Sequence, residues 1–276
     1  MAISSLISKN TTWRLIDSGH LSGPENMAID EALLHSFDPQ ISHPVLRLYG
    51  WEPASLSLGR FQKPAAVLDL DRCQADKVPV VRRVTGGGVI YHVDELTYSL
   101  VCAPGHIPPA SSIKDSFRVL TGFLLAFYRG LGLEAAYAVD VAPAGTRLGE
   151  RTSFCFAGKE TFDILIGGMK IGGNAQRRQK GIIFQHGSIP LVNRSSTGLF
   201  YMRDRSPGQA VDTASLVQCG VAAEQVQLRQ GLATAFGSYF GVTLKADALT
   251  SRECCMADEL HAEKYLKDSW NLEGIG

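Results

Sequence analysis

The sequence predicts an α+β fold of mixed β-sheets flanked by helices, on three observations. Short alternating or β-branched runs dominate positions 44–191, one long amphipathic stretch interrupts them, and two more helical stretches follow. The 276 residues are 45% hydrophobic and 20% charged, enough apolar content for a sizeable core and too ordinary for disorder. No internal repeat or Pro/Ser-rich linker divides the chain. It therefore reads as one domain over 1–276, with residues ~222–276 as a C-terminal helical portion of the same unit.

The first element is a short strand at WRLID (13–17). Gly23-Pro24-Glu25 then opens a helix, because proline sacrifices no hydrogen bond in a first turn and an acid favours the positive end of the helix dipole. Ile29, Leu33 and Phe37 share one face of it. VLRLY (45–49), SLSL (55–58), VPVVRRV (78–84), VIYH (89–92) and LTYSLVC (96–102) read as strands. Ser112 to about Leu131 is the clearest helix, with Ile113, Phe117, Leu120, Leu124, Phe127 and Leu131 at steps of three and four. Segment 140–152 reads as a loop, and FDILIGG followed by MKIGGNA as a hairpin turning on Gly167-Gly168. A strand over 182–191, a helix over 222–240 carrying Leu228, Leu232 and Phe236, and a last helix over roughly 249–270 complete the order.

Charge and cysteine usage narrow the class. With 27 basic and 27 acidic residues, the overall field favours neither nucleic acid nor an anionic membrane. No run approaches the ~20 apolar residues of a membrane span. The start, MAISSLISKNTTW, lacks the basic head and apolar run of a signal peptide. Cysteines at 73, 102, 155, 219, 254 and 255 show neither framework spacing nor a Cys-x-x-Cys pair, which points to reduced thiols in the cytoplasm. Cys254 and Cys255 are helical neighbours about 100° apart and make a poor metal pair. No metal site is expected.

Two glycine clusters stand out. RRVTGGGVIYH (82–92) sets three consecutive glycines between strands, either as a tight turn or as backbone that another group approaches closely. It is no P-loop, since no Gly-Lys-Ser/Thr follows, and no dinucleotide fingerprint, since no helix follows. Lys170 lies beside the second cluster, as a solvated hairpin lysine or as a buried charge whose proton affinity its surroundings tune. Cys155 lies fifteen residues before it and is either a small buried hydrophobe or a nucleophile that a nearby ammonium activates. His92 and His186 are structural or placed near a reacting centre. Arg177, Arg178 and Lys180, with Arg82 and Arg83, form either a solvated face or a positive patch.

Several of these segments together resemble the lipoate–biotin protein ligase and octanoyltransferase superfamily: ENMAIDEALL (25–34), WEPASLSLGRFQ (51–62), RRVTGGGVIYH, GGMKIGGNAQRRQKG (167–181), QHGSI (185–189) and KYLKDSW (264–270). The ordered motifs span nearly the whole chain. The resemblance implies a biotin/lipoate protein ligase catalytic-domain-like fold, and the lack of a Gly-Arg-Gly-Arg segment sets the biotin branch aside. Within the superfamily, the Cys155-Phe156 pair followed by Lys170-Ile171-x-Gly173 is similar to the cysteine-dependent octanoyltransferases acting on the glycine-cleavage H protein.

That branch implies Cys155 as nucleophile and Lys170 as its partner, with backbone N–H groups near Lys170-Ile171-Gly172 facing the developing oxyanion. It implies substrate-binding roles for Arg82, Gly86, Gly87, Gly88, His92, Ile171, Gly172, Gly173, Ala175, Gln176 and His186. It also implies octanoyl-acyl carrier protein as donor, a lipoyl-domain protein such as glycine-cleavage H protein as acceptor, a monomer, and no cofactor. The alternatives are an ATP- and Mg-dependent lipoate-protein ligase that forms a lipoyl-adenylate, and a non-catalytic lipoyl-domain binding module or half of a split ligase. Gly172-Gly173-Asn174 departs from the Ala-Gly-Ser or Ser-Gly-Ser of the family, and Val93-Asp94 from the His-Asp of the ligases.

Overall fold

The computed structural model describes residues 12–110, 112–143, 148–149, 153–154, 160–204 and 213–275. Strand β1 (Thr12–Leu21) leads into helix α1 (Gly23–Ser36), then β2 (Val45–Trp51) and β3 (Ser55–Leu58). Short helices α2 (Pro64–Val67) and α3 (Leu70–Ala75) precede β4 (Val80–Arg82), β5 (Ile90–His92) and β6 (Glu95–Cys102). Helix α4 (Ile113–Gly130) is followed by β7 (Ala135–Tyr137), α5 (Ala138–Val141), β8 (Ile164–Ile166) and β9 (Met169–Lys170). Then come β10 (Gly173–Gln179), β11 (Ile182–Pro190), α6 (Ser195–Phe200), α7 (Gln225–Phe240), β12 (Thr243–Ala246), α8 (Ser251–Leu260) and α9 (Asp268–Asn271).

Local chemistry sets the boundaries. Ser22 Oγ accepts the Glu25 N–H while the Glu25 carboxylate accepts the Ser22 N–H at 2.9 Å, a reciprocal cap that starts α1. Ser112 caps α4 by accepting the Asp115 N–H at 3.0 Å. Gly167 and Gly168 have φ of 57° and 79°, the left-handed pair that a two-residue turn between β8 and β9 requires.

Three sheets result. The largest has the order β10-β11-β6-β2-β1-β12, with β1 parallel to β2 and β12 and the β2–β6–β11–β10 pairs antiparallel. β4-β3-β5 and β7-β8-β9 form two three-stranded sheets. Alternation along β6 sends Leu96, Tyr98 and Leu100 to a core with Leu120, Phe123 and Phe127 of α4 and Leu232 and Phe236 of α7. The opposite face of the large sheet packs against Met27, Leu33 and Leu34 of α1, backed by Tyr265 and Trp270. Leu56 and Leu58 of β3 join a third cluster with Val89, Phe154 and Leu199.

The chain differs from the sequence expectation in places. The helix expected over 249–270 breaks into α8, a wide turn His261–Tyr265, and α9. The break lets α9 clasp β4: Arg82 N–H donates to Asn271 Oδ1 at 3.0 Å, and Trp270 Nε1 donates to the Arg82 carbonyl at 2.9 Å. Strand β12 is not marked in the sequence, because four largely exposed residues carry too little apolar alternation. The strand expected over 78–84 contracts to β4, and the loop expected over 140–152 lies partly outside the described residues. Among the described residues no helix is long and apolar enough to cross a membrane.

Candidate active site

A cavity of about 510 Å³ opens between the α1 face of the large sheet and the β4-β3-β5 sheet. This is a normal size for a small-molecule site. Trp51, Thr97, His186 and Ser188 lie on one wall; Ser57, Ile90 and His92 lie on the other; the Gly86–Gly88 turn and Lys170 also line it.

Arg83 shapes the glycine turn. One guanidinium nitrogen donates to the carbonyls of Gly86 and Gly88, both at 2.8 Å, and the other to the Ser57 carbonyl and Oγ, both at 3.0 Å. Gly87 sits at φ 98°, and a Cβ on Gly59 would lie 2.0 Å from the Gly87 carbonyl oxygen. Both positions therefore need glycine. The cavity wall here is bare backbone.

Two carboxylate–imidazole–hydroxyl chains underlie the cavity. In the first, the Glu95 carboxylate is 2.7 Å from His92 Nδ1, and His92 Nε2 is 2.7 Å from Ser57 Oγ. Ser57 Oγ also accepts from Arg83 at 3.0 Å, which ties this chain to the group that holds the glycine turn. Trp51 stacks on the His92 ring at 3.8 Å and 9°. Burial pushes the Glu95 carboxyl up, but His92, Ser188 and Thr97 outweigh it and hold it below its ordinary range.

In the second chain, Thr85 Oγ1 meets His186 Nε2 at 2.7 Å, and Asp30 Oδ2 lies 3.7 Å from His186 Nδ1. Asp30 also accepts from Arg47 at 2.8 Å, Tyr49 at 2.8 Å and Ser99 at 2.7 Å. Burial opposes its charge, yet Arg47, His186 and Ser99 keep the carboxyl below its ordinary range. Burial lowers the proton affinity of His186 despite Asp30, so the ring is neutral near pH 7.

Lys170 is 2% exposed, and its Nζ lies 2.8 Å from Asp163 Oδ2. The Asp163 carboxylate also accepts the Glu160 N–H at 2.7 Å. The Ile171 N–H donates to the Ile164 carbonyl at 2.9 Å, so the oxyanion donor expected at that residue is already engaged.

Of the residues singled out in the sequence, Lys170, Gly86, Gly87, Gly88, His92, Gly173, Ala175 and His186 line the cavity. Arg82, Ile171, Gly172 and Gln176 do not. Arg82 turns away to the carbonyls of Arg60, Gln62 and Trp270 at 2.8–2.9 Å. Ile171 packs in the main core, and Gln176 bonds to Gln185 and Ser116. Gly172, at φ 78°, would place a Cβ 2.0 Å from the Ser188 carbonyl oxygen. Arg82 and Arg83 are each 2% exposed, so neither joins a surface patch with Arg177, Arg178 and Lys180, and that expectation is corrected.

Cys155 lies outside the described residues. The residues before it do not. The Ser153 carbonyl accepts from the Val89 N–H at 2.8 Å and from Gln62 Nε2 at 3.0 Å, and Phe154 is buried. The next described residue, Glu160, lines the cavity. Burial raises the thiol of Cys73 to about 11 and that of Cys102 to about 12, which keeps both neutral, and Cys254 and Cys255 are exposed on α8. Among the described residues no group of three His, Cys, Asp or Glu could hold a metal ion.

Sequence reasoning missed Ser57, Arg83, Asp163, Asp30 and Glu95 as site groups. The alternation of SLSL, with both leucines in a core cluster, points Ser55 and Ser57 the other way. Asn26 and Asp30, four apart on α1, form one polar stripe that Arg47 reads at 2.7 and 2.8 Å.

Known proteins share this arrangement of chain. Residues 22–230 match the lipoyl protein ligase A/B catalytic domain. The octanoyltransferase LipM of Symbiobacterium thermophilum is 36% identical over 272 residues, covering 95% of this chain and 98% of its own. That of Bacillus subtilis is 33% identical over 276 residues, with 95% and 98% covered. A lipoate-protein ligase A structure bound with ATP superposes with a TM-score of 0.80 at 25% identity, covering 96% of this chain and 100% of that one. A T. acidophilum structure with bound lipoic acid gives 0.77 at 25%, with 95% and 99% covered. The match over most of its length and the full-length relatives show that the chain belongs to the lipoyl protein ligase A/B catalytic domain family.

Proposed function

We propose that the chain transfers an octanoyl group through a thioester on Cys155, with the buried Lys170 as its catalytic partner. The LipM relatives make the chain an octanoyltransferase of lipoate biosynthesis, an acyltransferase. The observation that carries the mechanism is the position of Cys155 in the chain. It directly follows Phe154, which bridges Val89 beside the glycine turn, and Lys170 projects into the same cavity.

The Cys155 thiolate attacks the donor's thioester carbonyl, and the carrier thiol leaves with a proton. The Lys170 ammonium, fixed by Asp163, stabilises the thiolate and the developing oxyanion. The lysine amine of the acceptor then attacks the Cys155 thioester. An amide forms, the cysteine sulfur leaves, and the amine proton returns to it through water or Lys170. Both steps need no nucleotide, metal or other cofactor. Trp51, Ile90 and the bare glycine turn offer apolar surface to the acyl chain, where each buried methylene is worth ~0.8 kcal/mol.

Octanoyl-acyl carrier protein is the donor in this reading, and a lipoyl-domain protein such as glycine-cleavage H protein is the acceptor. The enzyme is a cytoplasmic monomer. Residues 1–276 form one catalytic unit, an arrangement supported by β12 completing the large sheet beside β1.

Intact-protein mass spectrometry after mixing with octanoyl-acyl carrier protein tests the reading. One octanoyl adduct is expected on the parent and none on Cys155→Ala, which also loses all transfer. Full activity in Cys155→Ala, with pyrophosphate released from ATP and free lipoate, would instead establish the ligase. Neither adduct nor turnover in the parent would leave a binding module.

A further inference from the structure

The cavity mouth carries an exposed aromatic residue next in the chain to one cation and two positions from another. Phe61 is 84% exposed and still borders the cavity. It stands at the tip of a fixed turn. Gln62 Oε1 accepts the Gly59 N–H at 2.9 Å, the Gln62 N–H donates to the Gly59 carbonyl at 3.0 Å, and the Arg60 N–H donates to the Thr85 carbonyl at 2.8 Å. A rigidly held, solvated phenylalanine at a mouth suits contact with another molecule more than it suits stability.

Cations flank it in the chain and continue along β10, whose first residues line the cavity. Arg60 lies over the Trp270 ring at 5.3 Å, and Lys63 is exposed two residues beyond Phe61. Arg177 donates to the Val84 carbonyl at 3.2 Å, one residue from the carbonyl that holds Arg60, and the charge of Arg60 helps lower its proton affinity, second to burial. Lys180 is exposed at the end of the same β10 edge, at φ 48°. Among the described residues no ion pair engages Arg60, Lys63, Arg177 or Lys180. On a chain of zero net charge this is a local field, placed beside the glycine turn. Among the described residues, apart from its chain neighbours, no atom lies within 4 Å of where a Gly86 Cβ would stand, which leaves room for a slender arm across the wall.

We propose that Phe61, Arg60, Lys63, Arg177 and Lys180 form the docking face for an acidic donor protein that presents its acyl group on a flexible arm. This rests on the octanoyl-transfer reading above. The aromatic ring anchors the contact, the cations steer the acidic face, and the arm enters over Gly86–Gly88.

The test compares acylation of Cys155, without acceptor, from octanoyl-acyl carrier protein and from a small octanoyl thioester that has no protein attached. Lys63→Glu/Lys180→Glu changes two exposed residues outside the reaction centre. Its carrier-dependent acylation is expected to fall about tenfold or more, with the small thioester reacting as in the parent. Phe61→Ala should raise the carrier concentration needed for half-maximal rate. Equal rates from the carrier, an equal fall with both donors, or a defect confined to transfer onto the acceptor would each overturn the assignment. A parent forming no Cys155 adduct with either donor would overturn the transfer reading, and the docking face with it.

Discussion

A neutral imidazole between a carboxylate and a threonine is the residue-scale device of this site. His186 faces Asp30, Arg83 and His92, and burial lowers its proton affinity more than Asp30 raises it. The unfolded chain therefore binds a proton that the folded ring refuses. The stabilisation is complete above the ordinary imidazole value of ~6.5 and is lost as pH falls below it toward the lowered folded value. His186→Gln removes this linkage. Its melting temperature should drop less than that of the parent between about pH 7.5 and about pH 5.5, read by circular dichroism. A parallel drop would place the acid sensitivity elsewhere, with His35 or His106, whose proton affinity is also lowered chiefly by burial.

At the scale of elements, the β9–β10 connection joins the Lys170 hairpin to the large sheet at a point with no room for a side chain. Gly172 combines φ 78° with a close approach to the Ser188 carbonyl, immediately before the Gly173–Ser188 pair. Gly172→Ala should cost about 1–3 kcal/mol in urea denaturation and also slow Cys155 acylation, since relief of the clash shifts the wall carrying Ser188. The hairpin itself was legible from Gly167-Gly168, and SLSL and α4 from their periodicity. The buried carboxylates were not. Asp30 is one of three acids in α1, and Glu95 opens a strand buried along its whole length. Only packing shows that both face inward beneath two histidines. Arg82, the last residue of β4, and Arg83, just past it, illustrate the same limit: one holds α9 and the other the glycine turn.

At the scale of the whole molecule, the site depends on distant chain. α9 satisfies the β4 backbone through Asn271 and Trp270. Asn271→Ala would leave the buried Arg82 N–H without its acceptor, a loss of about 1–3 kcal/mol expected as a lower denaturation midpoint with the slope unchanged. The family resemblance foretold the fold across the chain, but not which side chains face the cavity. That depends on how three sheets stack, and no single segment encodes it. The clasp of α9 on β4 also has a temporal side. Arg82 and Asn271 are 189 positions apart, so a ribosome releases β4 long before the residues that fasten it. The nascent chain carries an unlatched β4 through most of its synthesis, until α9 emerges and docks.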